Sequence, residues 1–279
     1  MQVIKRVKQT IAREVRGIFS DPSRGERPVA KVGDGLFPPG SVVRRVHGDV
    51  TTMMIGGIAA LLLQMLHPAV LAGVWDHSSF RNDMPGRLRR TARFVALTTY
   101  GSKDEAEAAL SRVRTIHARI GGKLPSGASY SAADPKLLAW VHVTETMSFL
   151  QAWIRYGEPD MSRADQDRYF AETAQIGAAL GADPVPCSFS EAEQVIAAMR
   201  PELACDQRTR EVARLVLFGR PTKLAVAPFQ VITMSAAVDL LPSWARRMHG
   251  LARPAIARPL IQVGARGLAE TLRWAFSPS

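Results

Sequence analysis

Residues 53–66 read MMIGGIAALLLQML, the most apolar run in the chain, and His67-Pro68 interrupts it. A helix needs roughly 20 apolar residues to span a bilayer, so this shorter run predicts a buried central helix. Asp49 stands just upstream as its N-cap. Outward from this helix the punctuation is helical throughout. Pro85 fits the first turn of a helix running to Tyr100 and closed by Gly101, and Ser102 with Glu105 forms a capping box for the next, ended by Gly121-Gly122. Asp134-Pro135 opens a long helix to Gly157, Ser162 with Asp165 and Ser190 with Glu193 open two more, and Gly181 closes the first of these. The stretches 205–219, 223–240 and 243–276 complete roughly ten helices by pattern. Strand-like alternation with hairpin turns is nearly absent, so the fold class is all-α.

Three parts follow. Residues 1–20 place Ile4, Val7, Ile11, Val15 and Ile18 on one face among Lys5, Arg6, Lys8, Arg13 and Arg16, an amphipathic basic helix. Residues 21–40 form a Pro/Gly-rich loop, and 41–279 a single helical domain; the loop at 122–133 is the best candidate for a mobile segment. The first twenty residues lack the continuous apolar core of a cleaved signal peptide, so the expected location is cytoplasmic.

The chain has 279 residues, 47% hydrophobic, with a net charge of +11. That apolar content excludes wholesale disorder. Its two cysteines, Cys187 and Cys205, exclude a disulfide scaffold and a structural zinc site. The basic excess is dispersed and mostly arginine, without an aromatic-interleaved patch, which counts against nucleic acid and fits an anionic ligand. Rossmann, P-loop and nucleophile-elbow signatures are absent. The basic termini, the first helix and the arginine-rich stretch from Trp244, fit contact with the inner face of an anionic membrane; packed helices with arginines snorkelling over the core are the plainer reading.

The candidate chemistry lies between residues 67 and 145. His67 reads as a helix-end residue bonding local carbonyls. Asp76 and His77 form a polar island that lines a pocket or simply makes a turn. Arg87 and Thr91, four apart, share a helix face on which an arginine and a hydroxyl can hold a carboxylate or polarise dioxygen; the plainer reading is a solvated basic face. His117 has Val113, Ile116 and Ile120 as apolar neighbours, which an axial metal ligand and a core histidine have in common. His142 and Glu145 share a face and offer one nitrogen and one oxygen to non-haem iron, but further carboxylates from facing helices would be needed.

In order, HPAVLAGVWDHSSFR, PGRLRRTARFVALTTYG, VRTIHARIGG and YSAADPKLLAWVHVTET resemble the rubber-oxygenase (latex-clearing protein) and MpaB-like oxygenase family over about residues 45–160. The resemblance implies a globin-like helical domain enclosing non-covalent haem b. His117 would be the proximal iron ligand, and Arg87 and Thr91 the family's R-x-x-x-T pair. It implies dioxygen as co-substrate and a hydrophobic, unsaturated isoprenoid- or lipid-like small molecule as substrate, cleaved at a carbon–carbon double bond. Arg90 stands where relatives can carry a distal lysine ligand, and a guanidinium stays protonated. The family's acidic base has no clear counterpart; Asp76 and His77 are the nearest substitutes. Two alternatives stay open: a haem- or lipid-binding protein without turnover, and the non-haem iron enzyme on His142 and Glu145.

Overall fold

The computed structural model describes residue 8 and residues 28–219, 227–252 and 258–276. Among these, twelve α-helices and one two-stranded ribbon are found, so the chain is all-α as its punctuation predicts. The expected N-terminal helix lies outside the described residues except for Lys8, whose Nζ sits 5.2 Å from the Trp274 ring centroid.

The core is built on a crossing of two helices. α1 (Val42–Val46) leads into α2 (Val50–Gln64), which holds the apolar run and packs along α6 (Pro135–Tyr156). Ile55, Leu62, Leu66, Trp140 and Leu150 are fully enclosed at this centre. Gly56 permits the close approach, because a Cβ there would meet the Phe149 Cα and the Ser148 carbonyl at 2.9 Å. Asp49 caps α2 by accepting from Thr52 N at 2.8 Å, and its other oxygen pairs with Arg273 of α12 (Arg258–Phe276) at 2.6 Å. α7 (Arg163–Leu180) and α8 (Phe189–Met199) cover one side of α6. α10 (Ala227–Leu240) and α12 cover α2 and each other, with α9 (Gln207–Phe218) and the short α11 (Ser243–Met248) completing that side.

The remaining elements form one end of the molecule. α3 (Pro68–His77) turns away from α2 by 104°. α4 (Met84–Tyr100) and α5 (Lys103–His117) are joined only by Gly101 and Ser102 and fold back on one another. The Ser102–Glu105 capping box is formed on both sides, at 3.2 and 2.9 Å. The Pro/Gly-rich segment from residue 28 carries turns and no regular element, and fastens to α4 through Val32 N donating to Tyr100 O.

Several expectations need correction. Gly121-Gly122 do not end the helix: α5 stops at His117, and the glycines open strand β1 (Gly121–Lys123), antiparallel to β2 (Ser129–Ser131). The 122–133 stretch carries most of this ribbon, turned at Gly127 with φ +87°, a conformation open to a residue without Cβ. α8 is capped by Ser188, not Ser190, because S-F-S-E contains its own S-x-x-E and the earlier hydroxyl reaches Glu191 N at 3.2 Å. The 243–276 stretch is broken after Met248 into α11 and α12, with Gly250 at φ +68°. His67 does not bond carbonyls; it caps α3 by accepting from Ala69 N at Nδ1.

Candidate active site at the α4–α5 hairpin

α4 carries Arg87 and Thr91 in its opening turns because Asp83 accepts from Gly86 N at 2.9 Å and Pro85 presets the first turn. The end of α3 links the two helices: Ser78 accepts from Arg87 near the start of α4, and His77 Nε2 lies 3.1 Å from Gly121 O, four residues past His117 of α5. Arg87 donates from Nη1 to Ser78 Oγ at 3.1 Å, which ties the end of α3 to the start of α4. No carboxylate among the described residues pairs with it. Burial, and then the charge of Arg90, hold its guanidinium below the usual arginine range. Thr91 donates its hydroxyl hydrogen to Arg87 O at 3.3 Å and is exposed. Arg90 turns outward and lies 3.5 Å from Asp83.

His117 is half-buried and its Nδ1 is enclosed with no hydrogen-bond partner. Burial lowers its pKa, so the ring is neutral, the form that donates a lone pair to a metal. The expected apolar setting is only partly present: Val113 and Ile120 are half-buried, Ile120 beside Gly73 of α3, while Ile116 is 47% exposed. The residues present fit a haem-type ligand: an enclosed imidazole nitrogen lacks a partner, and a desolvated guanidinium lacks an anion.

Asp76 and His77 do come to this end, but both are exposed and both hold the ribbon. Asp76 Oδ2 accepts from Tyr130 Oη at 3.1 Å, and His77 Nε2 lies 3.1 Å from Gly121 O. Tyr130 was not singled out in the sequence, since a tyrosine between two serines carries no spacing signal.

His142 and Glu145 lie elsewhere, on the α7 side of α6. Burial lowers His142 to about 4 and pushes Glu145 up to about 7, and the enclosed His142 Nε2 has no hydrogen-bond partner among the described residues. Among the described residues no group of three or more ligating side chains forms that could hold a metal ion. Sequence reasoning also missed a buried polar chain: His47 bridges Thr99 Oγ1 and Tyr169 Oη, each at 2.9 Å, and burial lowers it to about 3. A separate cavity of about 500 Å³ opens between α6, α8, α10 and α11, lined by Trp140, Ile196 and Trp244 among others; none of the hairpin residues reach it.

The chain is a helical domain similar over most of its length to an oxygenase catalytic domain. The family model described as ER-bound oxygenase mpaB/B′/rubber oxygenase, catalytic domain, matches residues 44–274, and the chain belongs to that family. No curated protein and no solved structure matches it. Among the described residues no single helix is long and apolar enough to cross a membrane; α2 and α3 together reach the length and composition but are sharply bent.

Proposed function

We propose that this chain holds haem b through His117 and oxygenates a hydrophobic, unsaturated small molecule of isoprenoid or lipid character. The observation that supports the reading is that two helix ends joined through α3 carry a neutral imidazole with an unpartnered nitrogen and a desolvated arginine with no carboxylate. When bound, haem supplies the iron at which dioxygen is activated for cleavage of a carbon–carbon double bond.

The chain's own residues have separate tasks. His117 offers a ring nitrogen to iron without a deprotonation step, since burial already keeps it neutral. Arg87 offers N–H donors beyond the one spent on Ser78, in the planar geometry that clamps a propionate carboxylate. Thr91 keeps its hydroxyl on the same helix face as Arg87 and, freed from the Arg87 carbonyl, would offer a hydrogen-bond donor to the ligand. Arg90, 3.5 Å from Asp83 and exposed, would add positive charge near an anionic ligand. Asp76 and His77 remain the nearest candidates for moving a proton, once released from the ribbon.

Purified protein reconstituted with haem shows a Soret band, and His117→Ala removes or shifts it. Oxygen consumption with candidate alkenes then separates an oxygenase from a carrier. Protein that takes up no haem at all overturns the reading.

A further inference from the structure

Four large apolar side chains stand out from the surface: Phe218 at 70% exposed, Val231 at 65%, Leu260 at 78% and Val263 at 71%. They belong to one edge of the molecule. Gln230 Nε2 donates to Gly219 O at 2.7 Å, which fixes the end of α9 beside the first turn of α10. α10 packs on α12, and a Cβ on Gly264 would touch Ile232 at 3.9 Å. Val231 stands opposite the buried Thr233, Ala236 and Ala237 of α10, so the two packed helices both turn exposed apolar side chains away from the core, and the Gln230 bond sets Phe218 at the first turn of α10. α12 buries Ala265, Ala269 and Leu272 inward, so Leu260 and Val263 are left on its outer face with no core to cover.

The charge around this edge is predominantly basic, although Glu270 is exposed on the same face of α12 as Val263. Between Glu211 and Glu270 the only acid is Asp239, which is buried and paired with Arg155 at 3.0 Å. On α9, Arg210 and Arg214 precede Phe218 at successive four-residue steps, and both are exposed with no carboxylate partner among the described residues. That stripe puts two guanidinium groups behind an apolar tip. Two other arginines of the region are committed to carbonyls, Arg246 to Asp239 O and Leu241 O and Arg266 to Arg155 O.

We propose that the edge formed by Phe218, Val231, Leu260 and Val263 docks on the surface of an anionic lipid bilayer, the apolar side chains entering the headgroup boundary and Arg210 and Arg214 meeting the lipid phosphates. Apolar insertion and basic attraction act together in such contacts, and the basic part weakens as salt rises. A protein partner would need a complementary apolar patch with an acidic rim; a bilayer needs neither a fixed shape nor a register, which suits four side chains spread over three helices. This surface is independent of the haem assignment.

Co-sedimentation with phosphatidylcholine vesicles and with phosphatidylcholine–phosphatidylglycerol vesicles tests it. The full chain binds the anionic vesicles at low salt and at least tenfold less at high salt. Val231→Asp with Val263→Asp reduces binding tenfold or more, while Lys103→Glu, an equal change in charge on exposed α5, leaves most of it. A neutral version, Phe218→Ser with Leu260→Ser, also reduces binding, and circular dichroism verifies that each variant is folded. Absence of binding by the unaltered chain, equal loss in Lys103→Glu, or full binding by both patch variants overturns the proposal. A dimer of the unaltered chain that Val231→Asp with Val263→Asp converts to monomer, without vesicle binding, overturns it in favour of a contact between copies.

Discussion

Arg87 reaches Ser78, not an acid: its Nη1 donates to Ser78 Oγ at 3.1 Å, and that hydroxyl is its only side-chain partner among the described residues. A guanidinium taken out of water without an anion costs stability, and the cost is recovered when an anion arrives. Arg87→Met is therefore expected to leave the melting temperature of the haem-free protein unchanged or higher. The same change weakens haem retention on the order of tenfold or more, the scale of one hydrogen bond to a charged group. Thermal melts of the free and reconstituted protein measure both sides; a lower melting temperature in the free protein contradicts the account.

Asp76 and Tyr130 give a way to separate a structural carboxylate from a proton-moving one. Their bond fastens the ribbon to α3, so Tyr130→Phe and Asp76→Asn should each cost about 0.5–1.5 kcal/mol, and hydrogen exchange should rise at 121–131 in both. If the ribbon is the whole role of Asp76, turnover falls equally in the two variants. A much deeper loss of kcat in Asp76→Asn assigns it the proton.

The adjacent glycines of α2 should behave oppositely. Gly56→Ala drives a methyl group against backbone atoms of α6 at 2.9 Å, and backbone cannot yield; a loss of about 1–3 kcal/mol is expected in urea unfolding. At Gly57 the nearest atom is 3.6 Å away, an ordinary contact, so alanine there should be neutral or raise stability by up to about 1 kcal/mol through helix propensity. Equal effects at both positions contradict the packing described.

Stability should fall on acidification. Burial lowers His47 to about 3 and His142 to about 4 from 6.5, and lowers His67, His117 and His249 as well. The unfolded chain then binds protons that the fold refuses, so their contribution is complete above about pH 6.5 and is lost as pH drops toward 4. Each such group changes stability by about 1.4 kcal/mol per pH unit while it titrates. Glu145 opposes them. Pushed up to about 7 from 4.5, it contributes fully below about pH 4.5 and that contribution disappears as pH rises to 7. Between 4.5 and 6.5 the histidines outnumber it, and Glu145→Gln should steepen the acid loss while raising stability at pH 8. Urea midpoints from pH 4.5 to 8 check this, and a flat profile rejects it.

Much of the fold was readable because helix starts and stops are local chemistry. Asp49, Ser102, Asp134 and Ser162 cap where the sequence indicates, each satisfying backbone N–H groups within a few residues of itself. The misplaced cap at Ser190 failed because two overlapping S-x-x-E signals compete, and only packing selects between them. The ribbon at 121–131 was missed for a similar reason: GGK and SYS have no alternation to read, and their pairing depends on Tyr130 and on the carbonyl of Ile120 accepting from Ala132 N. The i, i+4 placement of Arg87 and Thr91 was legible, as was the candidacy of His117.

By itself, the sequence determined an all-α chain, its central buried helix and the ordered motifs of its family, since these rest on spacing, capping and apolar periodicity. Only the tertiary structure decided that Arg87 is desolvated beside Ser78 without an acid, that Asp76 is engaged by Tyr130, and that Phe218, Val231, Leu260 and Val263 share one edge. Those facts join residues of different helices. Burial and partnership between such residues depend on how helices cross and fold back, which no local pattern encodes.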